Sequence, residues 1–150
     1  MILVGSQRGG GRDLARHLLK NDNERVIVHD VRGFVANDLN GAFQESYAIS
    51  RGTKCKQHLF SLSLNPPQEA DASVEDFEDA VARSEKALGL DKQPRAIVLH
   101  EKIGADGKVR RHAHAVWCRI DADNMKAVQL SFTHKTLQAL ARDLYRDRDW

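Results

Sequence analysis

Arg95-Ala-Ile-Val-Leu-His100-Glu-Lys-Ile-Gly-Ala-Asp-Gly-Lys-Val-Arg-Arg-His112-Ala-His114-Ala-Val-Trp-Cys118 is the stretch that decides the reading of this chain. Apolar residues flank both histidine positions, and Gly104, Asp106 and Gly107 interrupt the middle. The pattern predicts two antiparallel strands joined at Asp106-Gly107. Side chains two apart on a strand share a face, so His112 and His114 project together and His100 faces them from the partner strand. Three imidazoles on one face, with no cysteine ligand beside them, can hold a divalent cation and leave coordination positions open for substrate and water. Glu101 and Trp117 fall on the opposite face by parity, the indole towards the core. Cys118 shares the histidine face but lies too far along the strand to join the set.

Working outward, the order of elements is strand, helix, strand, helix, strand, helix, then strands and a closing helix. Met1–Val4 reads as a strand, Gln7–Gly11 as a glycine-rich basic loop, and Arg12–Lys20 as a helix with Leu14 and Leu18 on one face. Asn21–Asn23 reads as a turn. Arg25–Val31 is β-branched and strand-like. A helix starts near Asp38, with Leu39, Phe43 and Tyr47 at helical spacing, and stops at Gly52. His58–Leu64 is a strand closed by Asn65-Pro66-Pro67. Ser73 and Asp76 form a capping-box variant for a helix that buries Val74, Phe77, Val81 and Leu88 and ends at Gly89. Ala127–Phe132 reads as one more strand, and Thr133 as the cap of a last helix carrying Leu137, Leu140 and Leu144. The fold class expected is α+β in a two-layer arrangement, with a central, mainly antiparallel sheet and flanking helices.

The chain has 150 residues, 41% hydrophobic and 29% charged, enough for one domain with a full core. No apolar run is long enough for a membrane span or a secretory leader. Two cysteines, Cys55 and Cys118, without ligand spacing point to free thiols and a reducing cytoplasm. The net charge of +2 does not itself require a polyanion. The cations do cluster, however: Arg8, Arg12 and Arg16; Arg51, Lys54 and Lys56; Lys108, Arg110 and Arg111. These clusters are either ordinary solvated faces or parts of a nucleic-acid patch. His29 and His134 have no companions at ligand spacing and read as surface residues. His58 adjoins the Arg51–Lys56 segment, which leaves a substrate-facing role open beside an ordinary strand role.

The histidine cluster, Gly5-Ser-Gln-Arg-Gly-Gly-Gly-Arg12, Ser50-Arg-Gly-Thr-Lys-Cys55 and Leu62-Ser-Leu-Asn-Pro66 together resemble the relaxase and mobilisation-nuclease family over nearly the whole chain. These are HUH endonucleases, named for two histidines around a hydrophobic residue, here His112-Ala113-His114. The resemblance implies a cation on His100, His112 and His114. It also implies strand-specific nicking of single-stranded DNA at a transfer origin in conjugation or mobilisation, through a covalent link to the new 5′ end. It implies accessory DNA-processing proteins as partners, and a domain over residues 1–150 that is the N-terminal piece of a longer protein. Magnesium or manganese is the family's metal, whereas an all-imidazole site suits zinc or nickel by softness.

The sequence departs from the family at the nucleophile. The family's tyrosine sits on the first helix, where this chain has His17; its two tyrosines are Tyr47 and Tyr145. A neutral imidazole is a competent nucleophile and would form a phosphoramidate. His17 is therefore the expected nucleophile and Tyr47 the alternative, although Tyr47's place on the Leu39–Phe43 stripe points to core packing. Arg8, Arg12, Arg16, Arg51, Lys54 and Arg111 are the expected DNA contacts. Two other readings remain: a single-stranded-DNA-binding module that has lost cleavage, and a metal-dependent phosphodiesterase with no covalent intermediate.

Overall fold

The expected hairpin is the centre of the sheet. In a computed structural model that describes residues 1–20 and 24–150, β4 (Arg95–Ile103) and β5 (Val109–Cys118) pair antiparallel from Arg95↔Trp117 to Ile103↔Val109. The turn between them is longer than a two-residue hairpin loop. It spans residues 104–108, with Gly107 at φ 78° and the Lys108 amide donating to Asp106 Oδ1 at 3.0 Å. Asp106-Gly107 marks the turn as expected, because only glycine adopts that backbone without strain.

Three more strands extend the hairpin: β1 (Ile2–Arg8), β2 (Arg25–Arg32) and β3 (Leu59–Asn65). The order is β1-β3-β5-β4-β2, and every pairing is antiparallel. The helices are α1 (Gly11–Leu19), α2 (Leu39–Ser50), α3 (Val74–Leu88) and α4 (Thr133–Arg148). Asp38 caps α2 through the Gly41 amide. Ser73 and Asp76 complete a capping box on α3, and Gly89 ends that helix in the left-handed conformation, all as expected. The turn expected at Asn21–Asn23 lies outside the described residues.

Alternation along the strands sorts their side chains into two cores. Leu62, Leu64, Ile97, Leu99, Ala113, Ala115 and Trp117 pack against Phe77 and Val81 of α3 and Leu137 and Leu144 of α4. Leu59, Ala96, Val98 and Val116 point the other way and receive Leu14 and Leu18 of α1 and Phe43 of α2. The α+β class and the antiparallel sheet are as expected. The layering differs, because the helices divide between both faces and make the sheet the middle of three layers rather than one of two. Trp117 is fully buried on the α3–α4 side, as parity requires, and its indole N–H donates to Glu85 at 3.1 Å.

Some local expectations fail: Thr133, expected to cap the last helix, is its first residue, and Phe132 stands at the N-cap without a side-chain cap bond. The strand expected over Ala127–Phe132 reduces to a two-residue ladder, Ile120–Asp121 with Lys126–Ala127. Val128 and Leu130 alternate inward to the core, which produced the strand-like pattern. The backbone at Val128 is satisfied by Arg119 instead, through its carbonyl and its guanidinium. Tyr47 is not core: it is 48% exposed. The buried stripe of α2 runs Leu39, Ala42, Phe43, Ser46 and Ser50, so two serines occupy the positions that an apolar pattern assigns to Tyr47.

Candidate metal centre and nuclease site

His112 and His114 leave β5 on the α1–α2 face, and His100 stands directly across from His112 on β4. The His100 and His112 rings stack with centroids 4.9 Å apart, and His114 lies 5.3 Å from His100 and 5.6 Å from His112. The three imidazoles expected to converge do so. Sequence reasoning missed a fourth member, Glu24. Its carboxylate is 3.1 Å from His100 Nδ1 and 3.6 Å from His112 Nε2. Ligand atoms of Glu24, His100 and His112 all lie within 4.8 Å of one another. Val26 pairs with His100, and Glu24 precedes it by two residues, which gives Glu24 the same face by alternation. That register between distant strands is the signal that the sequence alone does not carry.

The donor chemistry fits a cation. His100 is buried, and its Nε2 has no hydrogen-bond partner while Nδ1 faces Glu24. An orphaned ring nitrogen in a buried position is costly unless a ligand takes it. Burial pushes the His114 imidazole down to about 4, helped by repulsion from His100, His112 and His17. His112 is lowered as well, mainly by burial, with Glu24 opposing the shift. Neutral imidazoles are the metal-binding form.

Helix α1 crosses above the histidine face, and its Leu14 and Leu18 pack on Val98 and Val116. His17 lies on its exposed side. Arg12 and Arg16 are exposed on the same helix, Arg16 sharing Asp13 at 4.0 Å. Arg8 is exposed at the end of β1. Tyr47 stands at the other end of α1. Its ring packs on His58 at 5.9 Å, and His58 Nε2 bonds the Gly9 carbonyl at 3.2 Å, just before the helix begins. Tyr47, Arg51 and Lys54 line a shallow cavity of about 430 Å³.

The remaining candidates lie elsewhere. Arg111 is on the opposite face from the imidazoles, bonded to Glu101 at 2.9 Å and to the Ala72 carbonyl. His58 is buried, with Ser46 Oγ 2.7 Å from its Nδ1, so it ties α2 to the glycine loop rather than facing a substrate. The glycines of that loop also have a packing reason. A Cβ on Gly9 would meet the Lys56 carbonyl at 2.8 Å, and one on Gly11 would meet Phe43 at 2.9 Å.

The family model for the relaxase MobA/VirD2-like nuclease domain matches residues 11–150. The chain belongs to the relaxase family. A DNA-nicking nuclease role follows from membership, with single-stranded DNA as the class of substrate. A search of the curated proteins found no match. Strand β1 precedes the matched region, yet this relaxase domain uses it as the edge of its sheet beside β3. Among the described residues, no helix is long and apolar enough to cross a membrane.

Proposed function

We infer that this domain nicks and rejoins one strand of DNA at a transfer origin, during conjugation or mobilisation, through a covalent intermediate on His17. The observation that carries this reading is the packing of α1, through Leu14 and Leu18, in one cluster with Val98 and Val116 on the sheet face that bears the imidazoles, with His17 on the exposed side of that helix. Tyr47 instead packs at the far end of the same helix. His17 is six positions along the helix from Gly11, a rise of about 9 Å.

The chain's residues divide the work. His100, His112 and His114 would hold the cation, and Glu24 fixes the His100 ring by accepting from its Nδ1–H. When bound, a divalent cation there supplies Lewis-acid charge to the non-bridging phosphate oxygens. Imidazole donors favour zinc or nickel over magnesium by softness. A ring nitrogen of His17 attacks phosphorus as the bond to O3′ breaks. The ring N–H proton is released, and O3′ takes up one proton to become the free 3′ hydroxyl. The phosphoramidate retains the energy of the phosphodiester, so the reverse attack by a 3′ hydroxyl reseals the strand. Arg8, Arg12 and Arg16 provide cations for flanking phosphates, and Arg51 and Lys54 form a second patch near Tyr47.

The test is capture of the adduct on single-stranded oligonucleotides tiling the transfer origin. The wild type should give a covalent adduct that is lost on mild acid treatment, absent in His17→Ala and unchanged in Tyr47→Phe. An acid-stable adduct, or one lost in Tyr47→Phe alone, moves the nucleophile to Tyr47. Cleavage without any adduct points to hydrolysis by water, and binding without cleavage to a DNA-binding module.

A further inference from the structure

The five-stranded sheet has two outer strands, and the chain treats them differently. The order β1-β3-β5-β4-β2 leaves one side of β1 and one side of β2 without a partner strand. The ladder of β2 shifts register between Val28 and Asp30, and the strand carries Arg25, His29, Asp30 and Arg32. His29 and Arg32 are drawn to α3 through Glu78 at 2.9 Å and Glu85 at 3.2 Å. Bulges and charges of this kind keep further strands from adding to a sheet. β1 lacks them. It pairs with β3 without a register shift from Ile2↔Asn65 to Arg8↔Leu59, and Ile-Leu-Val-Gly-Ser-Gln holds no charge and no proline before Arg8. Its outward backbone donors and acceptors are a template for one more strand.

There is room beside β1 for the side chains of such a strand on both faces. Ile2 and Val4 point to the α1–α2 side and are 59% and 58% exposed, whereas Met1 and Leu3 turn to the α3–α4 core and are buried. On the α3–α4 side, a groove of about 890 Å³ lies between β1 and the outer face of α4. Leu3, Leu137 and Ala141 are apolar parts of its lining, beside Tyr145 and Trp150, whose rings stand 6.3 Å apart. An added strand would set alternate side chains against Ile2 and Val4 and the others into the groove, because successive side chains of a strand point to opposite faces. Arg142 and Arg146 also line the groove. Arg146 is held by Asp143 and Asp147, while Arg142 is exposed and has no ion pair among the described residues.

We propose that the β1 edge and the α4 groove together bind an extended, acidic segment of another protein by strand addition. The segment alternates apolar with acidic side chains and is about as long as β1, which has seven residues. Main-chain hydrogen bonds to β1 supply affinity, and a carboxylate opposite Arg142 supplies selection. Charge decides between this occupant and a second copy of the chain. Arg142 is midway along the α4 lining, which runs from His134 to Asp149, so a two-fold axis through the groove would set two Arg142 guanidinium groups together. Like charges meeting there oppose association, whereas an acidic segment meets the same guanidinium with its opposite. The imidazoles lie on the other side of the sheet, so occupancy of this edge does not depend on which residue attacks the phosphate.

The probe is a fluorescein-labelled octapeptide alternating valine and glutamate, blocked at both ends. It is titrated against the whole chain by anisotropy at low salt, beside a valine–lysine peptide of the same length. Wild type should bind the glutamate peptide about tenfold or more tightly than the lysine peptide. Arg142→Glu should invert that order, an outcome that general damage to the fold would not produce. N-methylation of one alternate set of the peptide's amides should abolish binding, and methylation of the other set should leave it unchanged, because only one set faces β1. Zinc affinity should be the same in wild type and Arg142→Glu. No binding of the glutamate peptide by wild type would overturn the assignment outright. A preference between the peptides that Arg142→Glu leaves unaltered would remove the groove, and equal effects of the two methylation patterns would remove strand addition. A dimer in sedimentation that Val4→Lys disperses, with no peptide bound to the resulting monomer, would give the edge to a second copy of the chain.

Discussion

Replacing Glu24 tests whether the acidic group found by the structure belongs to the metal centre. In the native arrangement its carboxylate accepts from His100 Nδ1 at 3.1 Å, and the side chain is 26% exposed. A charge-assisted hydrogen bond contributes about 1.5–3 kcal/mol, and the partial exposure argues for the lower end. Loss of about 1.5–2 kcal/mol corresponds to roughly ten- to thirtyfold in metal affinity, within the range found when the outer partner of a metal-bound histidine is removed. Glu24→Gln keeps an acceptor oxygen and loses only the charge, so it should weaken binding less than Glu24→Ala. Titration calorimetry with zinc and with manganese, on wild type, both variants and His100→Ala, gives the ordering directly. Affinity in Glu24→Ala equal to wild type would refute the orienting role. A loss in Glu24→Ala as large as that in His100→Ala would mean that the carboxylate is itself a ligand.

Glu85 accepts from Arg95, Arg32 and the Trp117 indole in the interior, so Glu85→Ala should destabilise the domain by about 3–5 kcal/mol in urea unfolding. A loss below about 1 kcal/mol would show that the network is not fixing the sheet to α3. Burial holds the His58 imidazole below its ordinary value of 6.5, despite the bond to the Gly9 carbonyl, and His112 and His114 are shifted the same way. The unfolded chain then binds more protons, so stability is complete above about pH 6.5 and falls as the pH drops below it. Unfolding midpoints measured from pH 7.5 to 5 should fall in the wild type and fall less steeply in His58→Gln; parallel curves would remove His58 from the account.

The histidine face was legible because strand parity is a strong rule. Once Asp106-Gly107 marked a hairpin, His100, His112 and His114 had to share a side, and Glu101 and Trp117 had to leave it. Helix ends at Asp38, Ser73 and Gly89 were legible because capping is local chemistry. What could not be read were partners set by long-range register. Glu24 meets His100 only because β2 pairs with β4, across 76 residues of sequence. Tyr47 read as core because Ser46 and Ser50, which are buried through hydrogen bonds, carry no apolar signature. The third layer escaped for a related reason. The α1–α2 side of the sheet is covered through small or β-branched residues such as Ala96, Val98 and Val116, interleaved with the larger side chains of the opposite core. Strands apolar on both faces lose the simple alternation that separates one layer from two.

That unequal covering explains how one sheet can be both a core and a binding surface. The α3–α4 side is filled by residues of β1, β3, β4 and β5, Trp117 the largest of them. On the other side, α1 and α2 rest on the middle strands near Val98 and Val116, and the histidines begin one register step further along, at His114 and His100. Because α1 is anchored by Leu14 and Leu18, its exposed side, with Arg12, Arg16 and His17, must overhang the ground that the helix leaves bare. The loop ahead of α1 is fixed by His58 and by the close approaches at Gly9 and Gly11, so the helix has little freedom to slide. If His17 is the nucleophile, its helix is positioned by packing that lies outside the histidine cluster. This makes a specific demand on variants of the glycine loop: Gly11→Ala forces a Cβ against Phe43 at 2.9 Å, so α1 and α2 must move relative to each other. If His17 acts from this helix, Gly11→Ala should slow adduct formation while metal affinity, which depends on β4 and β5, stays at the wild-type value. Equal loss of both would mean that the strain spreads through the sheet, and loss of neither would mean that the position of α1 does not set the rate.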